Sequence, residues 1–160
     1  MRTTLACLVS LLLLAACGCA KKPVIEGLAP VNALEADGLR VQIELPRREL
    51  TTGETLPVTV TVTNTTGQPI RIDSPTGAPV IVRVTRSTGV YREQVKRYPQ
   101  SATANILSWV RPARQSRTFV LMVPVEPDWP VEEILHVSAE LNGYPKVAPG
   151  IAVTVHAPKK

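Results

Sequence analysis

Val58-Thr59-Val60-Thr61-Val62-Thr63 sets an apolar residue at every even position and a hydroxyl at every odd one. A period of two is the mark of a strand with one face in a core and the other in water. β-branched residues on both faces strengthen that reading. Pro57 stands at the start of the run, where a missing N–H breaks no interior ladder bond.

Working outward, Leu39-Arg40-Val41-Gln42-Ile43-Glu44-Leu45 alternates in the same way, and Pro46 to Thr52 reads as turn chemistry closed by Gly53. On the other side, Asn64-Thr65-Thr66-Gly67 reads as a hairpin-type connection into Ile70-Arg71-Ile72. Further strands are expected over 80–86, 90–98, 106–110, 119–123, 135–141 and 151–155, with Ser87-Thr88-Gly89 turning between the first two. Short strands broken at regular intervals by turn residues predict an all-β, immunoglobulin-like antiparallel β-sandwich. Fifteen prolines argue against a helical protein, and with aromatics at 4% the core has to be built from Val, Leu, Ile and Ala.

The chain's 160 residues suit one domain, expected over 39–157. All three cysteines, Cys7, Cys17 and Cys19, precede it, so that domain holds no disulfide, thiolate nucleophile or sulfur metal site. Arg2 followed by the apolar stretch from Leu5 to Ala16 has the form of a secretory leader, and is too short for the ~20 residues of a spanning helix. Leu14-Ala15-Ala16-Cys17 resembles the lipobox of bacterial lipoproteins. That resemblance implies a signal peptide over 1–16, cut before Cys17, and a diacylglycerol on its sulfur. Several acyl chains, at ~0.8 kcal/mol per buried methylene, make a stable membrane anchor. Gly18 follows where an Asp tends to retain such proteins in the inner membrane, so the expected location is the cell envelope, at the outer membrane facing the periplasm. Residues 17–38, with Lys21-Lys22-Pro23, Gly27, Pro30 and Gly38, read as lipidated cysteine and tether.

Leu50-Thr51-Thr52-Gly53-Glu54-Thr55-Leu56 and the run from Val58 through Asn64-Thr65-Thr66-Gly67-Gln68-Pro69 to Ile72 resemble the opening of bacterial immunoglobulin-like domains, including the BsuPI-like intracellular proteinase inhibitor family. The resemblance covers about 50–72 and implies the sandwich fold. It carries proteinase inhibition as an alternative function, with no inhibitory residue mapped onto this chain. Asn64 is expected to bond local backbone at a turn.

Sites of chemistry are sparse. No serine lies in a nucleophile elbow and no glycine loop cradles a phosphate, so no catalytic residue and no cofactor are expected. His136 and His156 lie on the polar faces of their strands without a carboxylate at useful spacing in sequence, so no metal is expected there. Glu126, Asp128, Glu132 and Glu133 near Trp129 leave two readings, a calcium site or a solvated turn.

Charge is unevenly placed. Arg83, Arg86, Arg92, Lys96, Arg97, Arg111, Arg114 and Arg117 face only Glu93 over their span, whereas Thr118 to Pro145 carries no Lys or Arg. Either the eight form a basic contact surface, joined by Tyr91, Tyr98 and Trp109, or the two blocks neutralise each other across neighbouring strands. The function expected is a non-catalytic interaction module on a membrane anchor, with a protein or envelope polymer as partner. Nucleic acid is excluded by the leader and by the lack of any nucleic-acid motif.

Overall fold

A computed structural model describes residues 29–88, 90–101 and 105–158. The leader, Cys17 with the other two cysteines, and the Lys21-Lys22 pair lie outside the described residues.

The described chain is all-β, an antiparallel-rich sandwich of eleven strands: β1 Val31–Ala36, β2 Leu39–Glu44, β3 Glu49–Thr51, β4 Thr55–Asn64, β5 Ile70–Ser74, β6 Val80–Thr88, β7 Tyr91–Tyr98, β8 Leu107–Arg111, β9 Ser116–Pro124, β10 Ile134–Leu141 and β11 Gly150–His156. One sheet has the order β1-β2-β4-β9, the other β3-β11-β10-β6-β7, and β5 pairs with β8 beside them. All pairs are antiparallel except β3 with β11. Alternate residues of each long strand are buried: Val58, Val60 and Val62 from β4, Val41 and Ile43 from β2, Leu135, Val137 and Ala139 from β10, Ile151, Val153 and Val155 from β11. Burying each such Val, Ile or Leu side chain contributes about 1.5–3 kcal/mol, so a one-residue slip of register would expose a whole row.

Three expectations change. First, the stretch read as tether already contains β1, which pairs with β2 through Ala36↔Leu39. Asp37 and Gly38 join them at φ 52° and 74°. Two consecutive left-handed residues make the type I′ turn that Asp-Gly favours, and Gly38 carries the second without a Cβ penalty. Second, part of the Pro46–Thr52 turn is strand β3, held by parallel pairing of Leu50 with Val155. Third, Asn64–Gly67 is not a hairpin turn, because β5 pairs with β8 and not with β4.

Asn64 explains the third change. It is fully buried; its side-chain amide donates to Gln68 O (2.7 Å) and Arg111 O (3.0 Å), and its Oδ1 accepts from the Thr66 N–H (2.9 Å). The Asn64 N–H donates to Gln115 O (3.0 Å). The backbone of Asn64 thus closes the β4·β9 ladder while its side chain ties the loop that follows to the end of β8, and β5·β8 starts afresh beyond it. The expected local backbone bonds are present, together with one to a strand far along the chain.

Candidate interaction surface

Strand pairing sorts the eight basic residues into three groups. β6 lies between β10 and β7, so its polar side chains meet acids from both. Arg83 donates to Glu140 (2.6 Å) and to Gln94 (2.7 Å). The bond to Glu140 raises the Arg83 pKa further. Arg86 pairs with Glu93 (2.6 Å) and lies 3.7 Å from Glu133. Lys96 holds Glu126 and Asp128, each at 2.7 Å. The hydrogen bond to Asp128, then that to Glu126, keeps Lys96 protonated well above the ordinary lysine range, and Lys96 in turn lowers Glu126. For these three residues the two charge blocks do neutralise each other.

Arg92 and Arg97 form the second group, on β7, with no ion pair among the described residues. Arg111, Arg114 and Arg117 form the third, gathered where β8 turns into β9. Gln115 N–H donates to Pro112 O (3.3 Å) at that turn, and Arg114 adopts φ 58°. Arg111 donates to Ser116 O (3.1 Å) and Gln115 Oε1 (3.2 Å), which are neutral acceptors. The turn brings Trp109 back onto Phe119, edge to face at 5.9 Å. The Arg117 guanidinium lies 5.5 Å from the Trp109 ring and 5.0 Å from the Phe119 ring, a cation–π arrangement with both.

This cationic-aromatic end runs into an apolar groove of about 270 Å³ lined by Ala78, Pro79, Val80, Pro99 and the β9 residues Phe119, Val120 and Leu121. Pro99 follows a cis peptide bond after Tyr98. β9 pairs with β4 on one side and, among the described residues, with nothing on the other. Its outward residues Val120 and Met122 are 61% and 62% exposed. Sequence reasoning placed Trp109 on a basic surface but missed the groove and Phe119, because the groove joins segments that are well separated in sequence, 78–80, 99 and 119–121. Tyr98 does not join that surface. It is buried, its pKa raised by that burial, and its hydroxyl donates toward Pro124 O (3.2 Å) and Glu126 (3.1 Å). Tyr91 lies apart, exposed at the β6–β7 turn.

The four acids near Trp129 are divided: Glu126 and Asp128 go to Lys96, Glu133 to Arg86 and Glu132 to His156. Among the described residues no cluster of His, Cys, Asp or Glu could hold a metal ion. His156 corrects the expectation of a histidine without acids. Its Nε2 is 2.6 Å from Glu49 and its Nδ1 3.0 Å from Glu132, and these bonds, Glu49 first, raise its pKa. The three come together because β11 lies between β3 and the segment entering β10. Among the described residues no helix is long and apolar enough to cross a membrane.

Neither protein-family models nor curated protein sequences match the chain. Solved structures do. A sporulation control protein, Spo0M from Bacillus subtilis, superposes with a TM-score of 0.50 at 13% identity, over 77% of this chain and 51% of that one. A mutant β-glucosidase from Listeria innocua in complex with laminaribiose gives a TM-score of 0.46 at 15% identity, over 81% of this chain and 17% of that one. The chain thus spans about half of the first neighbour and a sixth of the second. The first likeness is one of β-rich fold. No enzymatic activity is supported for this chain by its likeness to glycosidases.

Proposed function

We propose that this protein is a lipid-anchored, non-catalytic interaction module, tethered through Cys17 to the outer membrane and presenting the β9 side of its sandwich to a protein partner. One observation carries the reading: β9 is a nine-residue edge strand whose only charge is Arg117, bordered by an apolar groove. Between Ser116 O, which accepts from Arg111, and Pro124 O, which accepts from Tyr98, an edge without a partner strand beside apolar surface is a template for another strand. The lipobox resemblance at Leu14-Ala15-Ala16-Cys17 supports the anchor.

A photo-crosslinking residue at Met122, compared with one at Thr63 on the paired side of the same sheet, tests the module in intact cells. Capture of one identified protein from Met122 alone supports it, and no capture from either position overturns it. Cys17→Ser is expected to release the protein from membranes; unchanged fractionation overturns the anchor. The inhibitor activity implied by the likeness of 50–72 would replace this reading if the purified protein blocked a protease stoichiometrically.

A further inference from the structure

The groove side of β9 has a property that a generic partner would not need: it is complementary to itself. Suppose a second β9 lies antiparallel along the free edge, centred on Val120. Phe119 then stands opposite the second copy's Leu121, and Arg117 opposite the second copy's Val123, so no like charges meet along the strand. Each copy's Phe119 and Leu121 line its own groove and lie beside the groove of the other. The ends match as well. Arg111, Arg114 and Arg117, without a carboxylate partner among the described residues, precede or begin β9, whereas Glu126 and Asp128, two carboxylates that share the single charge of Lys96, follow it. Antiparallel pairing brings the turn that carries Arg114 toward the second copy's Glu126–Asp128 segment, and does so twice by symmetry. A single self-complementary patch of this kind closes into a twofold dimer and leaves no edge open for further addition.

We infer that the occupant of the β9 edge is a second copy of this chain, paired β9 to β9 about Val120 into one continuous eight-stranded sheet. This rests on the reading of β9 as a docking edge. Acidic residues at one end and basic residues at the other select the antiparallel over the parallel arrangement, which would set Arg114 beside the second copy's Arg114.

The test uses the full chain in membranes of expressing cells, with Cys19→Ser as background. Directly opposed residues of an antiparallel pair have Cα atoms about 4.5–5.5 Å apart, within disulfide reach. Val120→Cys is therefore expected to form a covalent dimer on mild oxidation, and Gln68→Cys, exposed and outside β9, is not. Dimer from both variants would report a free Cys17 and overturn the anchor. Dimer from neither overturns the inference. In detergent, sedimentation of Arg114→Glu is expected to show dimerisation weakened by roughly tenfold, two surface-strength charge pairs acting together, with Asp128→Arg restoring part of it in the double variant. A chain monomeric at every concentration overturns the self-pairing. Capture of a different protein at Met122 leaves the module standing and removes only the second copy.

Discussion

β7 and β9 end the two sheets on the same side of the sandwich, close enough for the Tyr98 hydroxyl of one to reach Pro124 O of the other at 3.2 Å. They manage their free edges in opposite ways. In β7 four of eight residues are charged, Arg92, Glu93, Lys96 and Arg97, and a register shift against β6 interrupts the ladder between Val84 and Thr85. Charge and irregularity are what keep an exposed edge from recruiting strands. β9 is regular over nine register positions, carries one charge, and exposes Val120 and Met122. Two edges in the same solvent with opposite compositions point to different roles: one closes the fold and the other receives a partner.

The comparison can be broken most forcefully at the residue joining the two edges. Tyr98→Ala empties a buried site and is expected to cost about 3–5 kcal/mol in urea denaturation. Tyr98→Phe, which removes only the hydroxyl, should cost about 1 kcal/mol. A loss for Tyr98→Ala no larger than for Tyr98→Phe would mean that β7 and β9 are not closed against each other there.

Asn64→Ala leaves Gln68 O, Arg111 O and the Thr66 N–H without their buried partner. An expected loss of about 2–3 kcal/mol follows from stranding such groups. It should be accompanied by faster amide exchange at Gln115 and Ser116, where β9 begins. Unchanged exchange there would separate Asn64 from the edge.

Met122→Lys gives β9 the kind of protection that β7 has. Because the side chain is mostly in water, stability should move by no more than about 0.5 kcal/mol while association of the protein falls. Sedimentation and denaturation of the same sample check both halves, and an equal fall in stability would show that Met122 supports the fold instead.

The smallest effect concerns the opposite edge. His156, held between Glu49 and Glu132, has a folded pKa raised above the ordinary histidine value by those two bonds. Its contribution to stability is therefore full below the unfolded pKa and is lost as pH rises through the folded one. His156→Gln should be less stable than the parent at pH 5.5, below the ordinary histidine range, with the gap closing as pH rises through the folded pKa. A gap independent of pH would assign the loss to packing. The β9 edge should not respond, since the three groups lie on β3, β11 and the approach to β10.

How much of this was legible beforehand depended on whether a residue's partner was near in sequence. Strands that bury alternate side chains announced themselves, because two-residue periodicity is a local property. β1 did not: its burial pattern shows no such alternation, as befits an edge strand. Asp37-Gly38 between two apolar stretches was the signal that would have found it. β3 is three residues long and exists only because β11, about 100 residues later, lies beside it. The candidate basic surface was legible as composition but not as geometry. Arg83 and Arg86 lost their freedom to acids on β10, β7 and the approach to β10, while Arg111, Arg114 and Arg117 kept theirs at a turn.

Sequence alone determined the class of fold, since the pattern of Val, Ile and Leu leaves a half-buried strand as the only way to put those side chains out of water. It determined too that the cysteines stand ahead of the body. Tertiary structure decided which edge is open, which cations are answered by carboxylates, and that Asn64 ends one ladder and begins another. Each of these depends on strand order and register, which are set by contacts between residues dozens of positions apart, and no local pattern encodes which strand will become a neighbour.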